Sequence, residues 1–210
     1  MFFNGSKTQD IKKGMVVSMS NTQTNNHSKT LTLVFCALFT ALIAAGAFLK
    51  IPIPNMPITM QLFFVIMAGL LLGAKAGAAS ALVYMILGLS GIPIFTAGGG
   101  IGYIFKPTFG YLVGFILGAF VTGLIANKDK NPSYKRLLAA SFAGLAVVYA
   151  FGIIYFYLIR NVYMSEPISA GNVFLYCFVF VAPGDIVLNF LAAFLAKKLK
   201  PILNNRLAGN

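Results

Sequence analysis

From about residue 31 onward the chain is a series of apolar runs, each closed by a cluster of Pro, Gly or charged residues. Six runs read as helices: 31–49, 60–72, 77–92, 107–126, 137–159 and 173–195. Long apolar stretches of this kind approach the roughly 20 residues needed to cross a bilayer, although the run 60–72 is short. The breaks are chemically distinct. Residues 50–59 hold three prolines in six positions, 91–106 are rich in glycine, 127–136 are charged and include Pro132, and 160–171 include Glu166-Pro167. Pro107 opens the fourth run at a position where proline suits the start of a helix.

Composition sharpens this into a fold class. Of 210 residues, 59% are apolar and 10% charged, with a mean hydropathy of +0.84. An all-α, polytopic membrane protein is expected: a compact bundle of six transmembrane helices. Residues 1–28 are polar, lack the apolar core of a signal peptide and read as a disordered tail. The bundle is expected over 29–200, and residues 201–210 form a basic C-terminal tail.

A net charge of +12 raises the question of nucleic acid, but the charges are sorted by loop. In a six-helix topology one side carries Lys7, Lys12, Lys13, Lys29, Lys75, Lys128, Lys130, Lys135, Arg136, Lys197, Lys198, Lys200 and Arg206. The other carries Lys50, Lys106 and Arg160. This asymmetry places both termini in the cytoplasm and makes the lipid bilayer, not nucleic acid, the partner of the charge. Cys36 and Cys177 fall near opposite faces in that topology, too far apart to bridge, and read as small packing residues. His27 sits in the polar tail, so neither a metal site nor a Ser-His-Asp set can be assembled. No catalytic residue is expected, and no cofactor.

The chain has four acids, Asp10, Asp129, Glu166 and Asp185, and Asp185 alone lies inside an apolar run. An ionisable group at bilayer depth costs at least ~2.5 kcal/mol on insertion scales, so it usually faces an interior cavity and has a task. Pro183-Gly184 just before it should interrupt the helix and free backbone groups, tolerable only against protein or a polar cavity. On the outer side, Thr59 and Gln61 bring hydrogen-bonding groups into the top of the second helix. The stretch from Gly98 to Tyr103, with Gly100 among four glycines in five residues, suits a flexible lid. It is no phosphate loop, because Lys106 lies between Phe105 and Pro107 rather than in a Gly-Lys-Ser/Thr helix start. Lys106 and the start of the fourth helix together favour an anion, or Lys106 is an interfacial lysine reaching for headgroups. An elongated ligand with N–H donors at one end and a carboxylate at the other would fit such a site. Tyr84, Tyr103, Tyr111, Tyr149 and Tyr176 either line it or belong to core and interface. Gly69, Gly73, Gly77 and Gly110, Gly114, Gly118 are spaced for close helix packing inside one bundle. The stripe Ala37, Ala41, Ala45 serves either that purpose or the docking of another protein.

Three motifs in order then carry a family resemblance. Pro57-Ile58-Thr59-Met60-Gln61, Lys106-Pro107-Thr108-Phe109-Gly110-Tyr111-Leu112 and Pro183-Gly184-Asp185 resemble motifs of the BioY family, the biotin-binding S components of energy-coupling factor (ECF) transporters. The resemblance covers about 31–199. It implies a six-helix bundle in the cell membrane of a bacterium, with an outward-facing biotin pocket closed by the first and third loops. It implies that Asp185 helps bind the ureido ring, and that Ala37 and Ala41 dock the transmembrane coupling (T) subunit. Two ATPase subunits complete such a complex, since nothing in this chain hydrolyses ATP. Thr59, Gln61, Gly100, Tyr103, Lys106, Asp185 and Asn189 form the expected ligand-binding set. Lys106 stands where many members have Gly, and Leu188 then Asn189 where many have a lysine. The carboxylate end of the ligand is left to Lys106 or to solvent. A stand-alone secondary carrier for a small carboxylate-bearing vitamin is the alternative, with Asp185 as a proton relay. One buried acid and no evident inverted repeat speak against it.

Overall fold

The structure, a computed structural model, describes residues 29–51, 58–129, 131–164, 168–179 and 181–207. The chain is almost wholly helical. Helix α1 covers Lys29–Phe48. A two-residue strand β1 (Lys50–Ile51) pairs antiparallel with β2 (Ile58–Thr59), Lys50 opposite Thr59. Then come α2 (Gln61–Leu72), α3 (Ala74–Leu89), a 3₁₀ helix (Ile101–Phe105), α4 (Phe109–Ala126) and α5 (Tyr134–Leu158). A π-helical turn extends α5 through Tyr163, and α6 (Ala170–Phe174) runs into another over Leu175–Val179. Helix α7 (Ala182–Leu207) ends the described chain. The expected N-terminal tail 1–28, the last three residues (208–210) of the expected tail 201–210, and the Pro-rich segment 52–57 lie outside the described residues.

Among the described residues three helices, Lys29–Phe48, Phe109–Ala126 and Tyr134–Tyr163, are long and apolar enough to cross a membrane, and Gln61–Leu72 and Ala74–Leu89 are shorter apolar helices. Large apolar side chains also stand on the outside, among them Leu33, Ile154, Val187 and Phe194. A surface of that kind suits lipid rather than water.

The glycine series explain how the helices come so close. A Cβ on Gly69 would lie 2.6 Å from the Ala119 carbonyl, and one on Gly123 2.2 Å from the Ala74 nitrogen. On the other side of α4, Gly110, Gly114 and Gly118 meet Tyr155, Val148 and the Gly144 carbonyl of α5. Both series therefore work inside the bundle, as their spacing predicts. Gly73, at φ +88°, turns α2 directly into α3. Helix α1 is fastened to α3 by polar atoms: Thr40 donates to the Ser80 carbonyl at 3.0 Å, and Cys36 Sγ donates to the Ala76 carbonyl at 3.4 Å.

Several boundaries differ from the sequence expectation. Residues 101–105 coil into a 3₁₀ helix instead of remaining loop, and α4 starts at Phe109 rather than at 107. The expected single helix 173–195 is divided: α7 begins at Ala182, with Pro183 in its first turn where its missing N–H costs nothing. Helix α7 also runs on to Leu207, through residues expected to form the basic tail. Lys200 shows why. It is buried, and its ammonium donates to the Leu70 carbonyl at 2.9 Å and the Ala126 carbonyl at 3.4 Å. Those carbonyls end α2 and α4, where unpaired acceptors and the negative ends of two helix dipoles converge on a cation.

Candidate functional site

The strand pair, α2, α3, α4, α5 and the start of α7 enclose a cavity of ≈ 580 Å³ counted to its open mouth. Its walls combine apolar side chains, including Leu62, Leu112, Phe115 and Val148, with polar groups from every side.

Asp185 sits in the first turn of α7, 4% exposed, and is the charged side chain among the described lining residues. The interruption before α7 is what brings it here, since a helix starting at Ala182 sets residue 185 one turn in, against α5. There the Tyr149 hydroxyl donates to Asp185 Oδ2 at 2.6 Å. One carboxylate oxygen is thus held by the protein, and the other keeps its acceptor capacity for the cavity. Behind it, Asn189 donates to the Asp185 backbone carbonyl at 2.8 Å.

Two hydrogen-bonded chains form the remaining polar wall. In the first, Thr59 donates to Gln61 Oε1 at 3.4 Å, Gln61 donates to the Tyr84 hydroxyl at 2.6 Å, and Tyr84 donates to the Ile94 carbonyl at 3.0 Å. Its direction is settled because it ends on a carbonyl. In the second, the hydroxyls of Thr96, Tyr103 and Thr108 are linked at 2.9 and 3.1 Å. Two bonds use two of three hydroxyl protons, which leaves one donor for a ligand acceptor. The cavity therefore offers a carboxylate acceptor from α7 and a hydroxyl donor from the segment before α4.

Phe95 builds the wall between these chains. It is 2% exposed, packed edge-on to Tyr84 (5.4 Å) and tilted on Tyr103 (4.4 Å). Its ring occupies a slot that exists because residue 88 is glycine: a Cβ there would lie 2.1 Å from the ring. Phe95 and Gly98 also exchange backbone hydrogen bonds, and the Gly100 N–H donates to the Gly88 carbonyl at 2.7 Å. Gly98 and Gly100 have φ near +100°, which the turn requires. The Gly-rich segment is thus an arm with fixed anchors. Gly88→Ala is expected to drive the ring out and displace Thr96 with it. Ligand affinity should fall by about tenfold or more, and stability by about 1–3 kcal/mol through overpacking. Titration with ligand and a melting curve check this; wild-type values for both would show that the ring relaxes in place.

The structure thus brings Thr59, Gln61, Tyr103 and Asp185 of the expected set to one cavity, with Tyr84, Tyr111 and Tyr149. It sets the other three outside the lining. Gly100 is a backbone anchor, Asn189 a support behind Asp185, and Lys106 an exposed residue between the 3₁₀ helix and α4. Tyr176 has no described side chain. Thr96 and Thr108 were not foreseen as lining residues. Thr108 lay inside a recognised motif; Thr96 carried no signal beyond being a polar residue beside glycines. On α1, Ala37, Ala41 and Ala45 are exposed, while Phe39, Thr40, Ile43 and Ala47 face the bundle. The alanine stripe is therefore not used for packing within the described chain.

A model of the BioY family matches residues 19–205. The chain is 44% identical over 176 residues to a probable biotin transporter BioY of Lysinibacillus sphaericus, covering 84% of this chain and 90% of that protein. It is 39% identical over 171 residues to the biotin transporter BioY of Thermotoga maritima, covering 81% and 96%. Its fold is similar to the crystal structure of the S-component for biotin from an ECF-type ABC transporter, with a TM-score of 0.72, 29% identity, and coverage of 84% of this chain and 94% of that one.

Proposed function

The chain belongs to the BioY family, and from that premise we propose that its cavity is the biotin site of an ECF transporter's substrate-capture subunit. It is a multi-pass membrane protein and a transport subunit rather than an enzyme. The observation that carries the ligand assignment is Asp185. It is a buried carboxylate in an apolar-walled cavity, with one oxygen held by Tyr149 and one left for an N–H donor. A ureido ring carries N–H donors and a carbonyl, and the hydroxyl chain through Tyr103 supplies the donor such a carbonyl needs. Thr59 and Gln61 complete the polar wall. The carboxylate tail of biotin then points to the mouth.

In this reading residues 29–200 form six membrane spans, α6 and α7 together making the sixth. Both termini are cytoplasmic, because the basic residues gather on that side. The cavity accordingly opens outward from the plasma membrane of a bacterium. Uphill transport draws on a T subunit docked on the Ala37–Ala41–Ala45 face and on two ATPase subunits. The test has two parts: labelled biotin bound by the purified chain, and uptake into proteoliposomes with and without the partner subunits. Binding without partners, and concentrative uptake only with them and ATP, is the expected result. Uptake by the chain alone driven by a proton gradient would favour the stand-alone carrier.

A further inference from the structure

Lys50 joins two edges of the cavity. In the β1–β2 ladder it stands opposite Thr59, whose side chain lines the cavity. Its ammonium donates to the backbone carbonyl of Thr96 at 2.9 Å, and the Thr96 side chain lines the cavity as well. The lysine chain therefore runs from one lining residue to another. The other attachments of the Ile94–Thr96 arm go inward: Tyr84 to the Ile94 carbonyl, Phe95 into the Gly88 slot, and the Thr96 hydroxyl to Tyr103. The Lys50 bond is exposed, so it can break and re-form without unpacking anything.

We propose that Lys50 is a positioning residue that straps the β1–β2 pair to the Thr96 arm and thereby sets how fast ligand enters and leaves the cavity. This rests on the cavity being the biotin site. Ligand passing in either direction must part the two rim segments that the strap joins, so the strap opposes entry and exit alike, and its loss should raise both rate constants while leaving their ratio nearly unchanged. A hydrogen bond from a charged but exposed donor sits at the lower end of the charged range, which corresponds to about tenfold in rate.

The experiment measures association and dissociation of labelled biotin, and of its neutral amide, with the full chain in detergent. Lys50→Met keeps the length of the side chain and removes the donor. Both rate constants are expected to rise about tenfold for both ligands, with Kd changed by less than about threefold, and Lys50→Arg is expected to restore them. Unchanged rates in Lys50→Met would overturn the proposal. So would faster dissociation of biotin not shared by the amide, which would make Lys50 a partner of the carboxylate. A weaker Kd for both ligands with unchanged association would overturn it too. If the unmutated chain binds neither ligand, the biotin reading fails instead, and the two failures are thus distinguishable.

Discussion

Asp185→Asn should lower biotin affinity by about ten- to over a hundredfold in a chain that folds normally. The reason is the count of acceptors. Tyr149 donates to one oxygen of Asp185 at 2.6 Å, and because Asp185 lines the cavity its second oxygen is left as an acceptor for ligand. An amide has one oxygen. Either Tyr149 or the ligand N–H must then meet an NH₂ group, donor against donor. Loss of a hydrogen bond to a charged acceptor costs about 1.5–3 kcal/mol, which is the stated range in Kd. The fold should tolerate the change, because a neutral amide is cheaper to bury than a carboxylate. Equilibrium binding of labelled biotin, with gel filtration as the check on folding, decides the matter; wild-type affinity would remove Asp185 from the site.

Ala41→Trp should do the opposite: leave biotin binding by the isolated chain within about threefold, and abolish assembly with the coupling subunit and ATP-driven uptake. Ala37, Ala41 and Ala45 lie on the exposed face of α1, and their side chains are not among those packed on the core. Small residues four apart allow a partner helix to approach closely, and an indole at the centre of the stripe holds that helix away. The neighbours on the buried face, Thr40 and Ile43, are untouched by the change, so the cavity should persist. Co-purification with the partner subunits and uptake assays measure the effect. Loss of biotin binding would mean that α1 shapes the cavity. Intact assembly would move the docking face elsewhere and leave the stripe to lipid.

These two predictions differ in where their support arose. Asp185 was legible from the sequence because a carboxylate at bilayer depth is costly enough to demand an explanation. The docking stripe was not, because alanines four apart serve internal packing and external docking equally well until the buried face of α1 is known. Lys106 and Lys50 show the same limit. Both are outer-side lysines beside unusual loops, and the sequence drew attention to Lys106. The fold exposes Lys106 beyond the cavity and lays Lys50 across two lining residues.

What the sequence by itself determined is the part of this protein governed by local chemistry. Apolar runs and their Pro, Gly and charged breaks set the helices, and glycines at helical spacing marked close packing inside one bundle. One acid inside an apolar run gave the candidate site, and three motifs named the family. Only the tertiary structure decided what depends on distant residues meeting. Tyr149 reaches Asp185 across 36 positions, and Lys50 reaches Thr96 across 46. Lys200 reaches the end of α2 across 130. A hydrogen bond needs its two atoms within about 3 Å, and no period or composition along a chain encodes that separation between different helices.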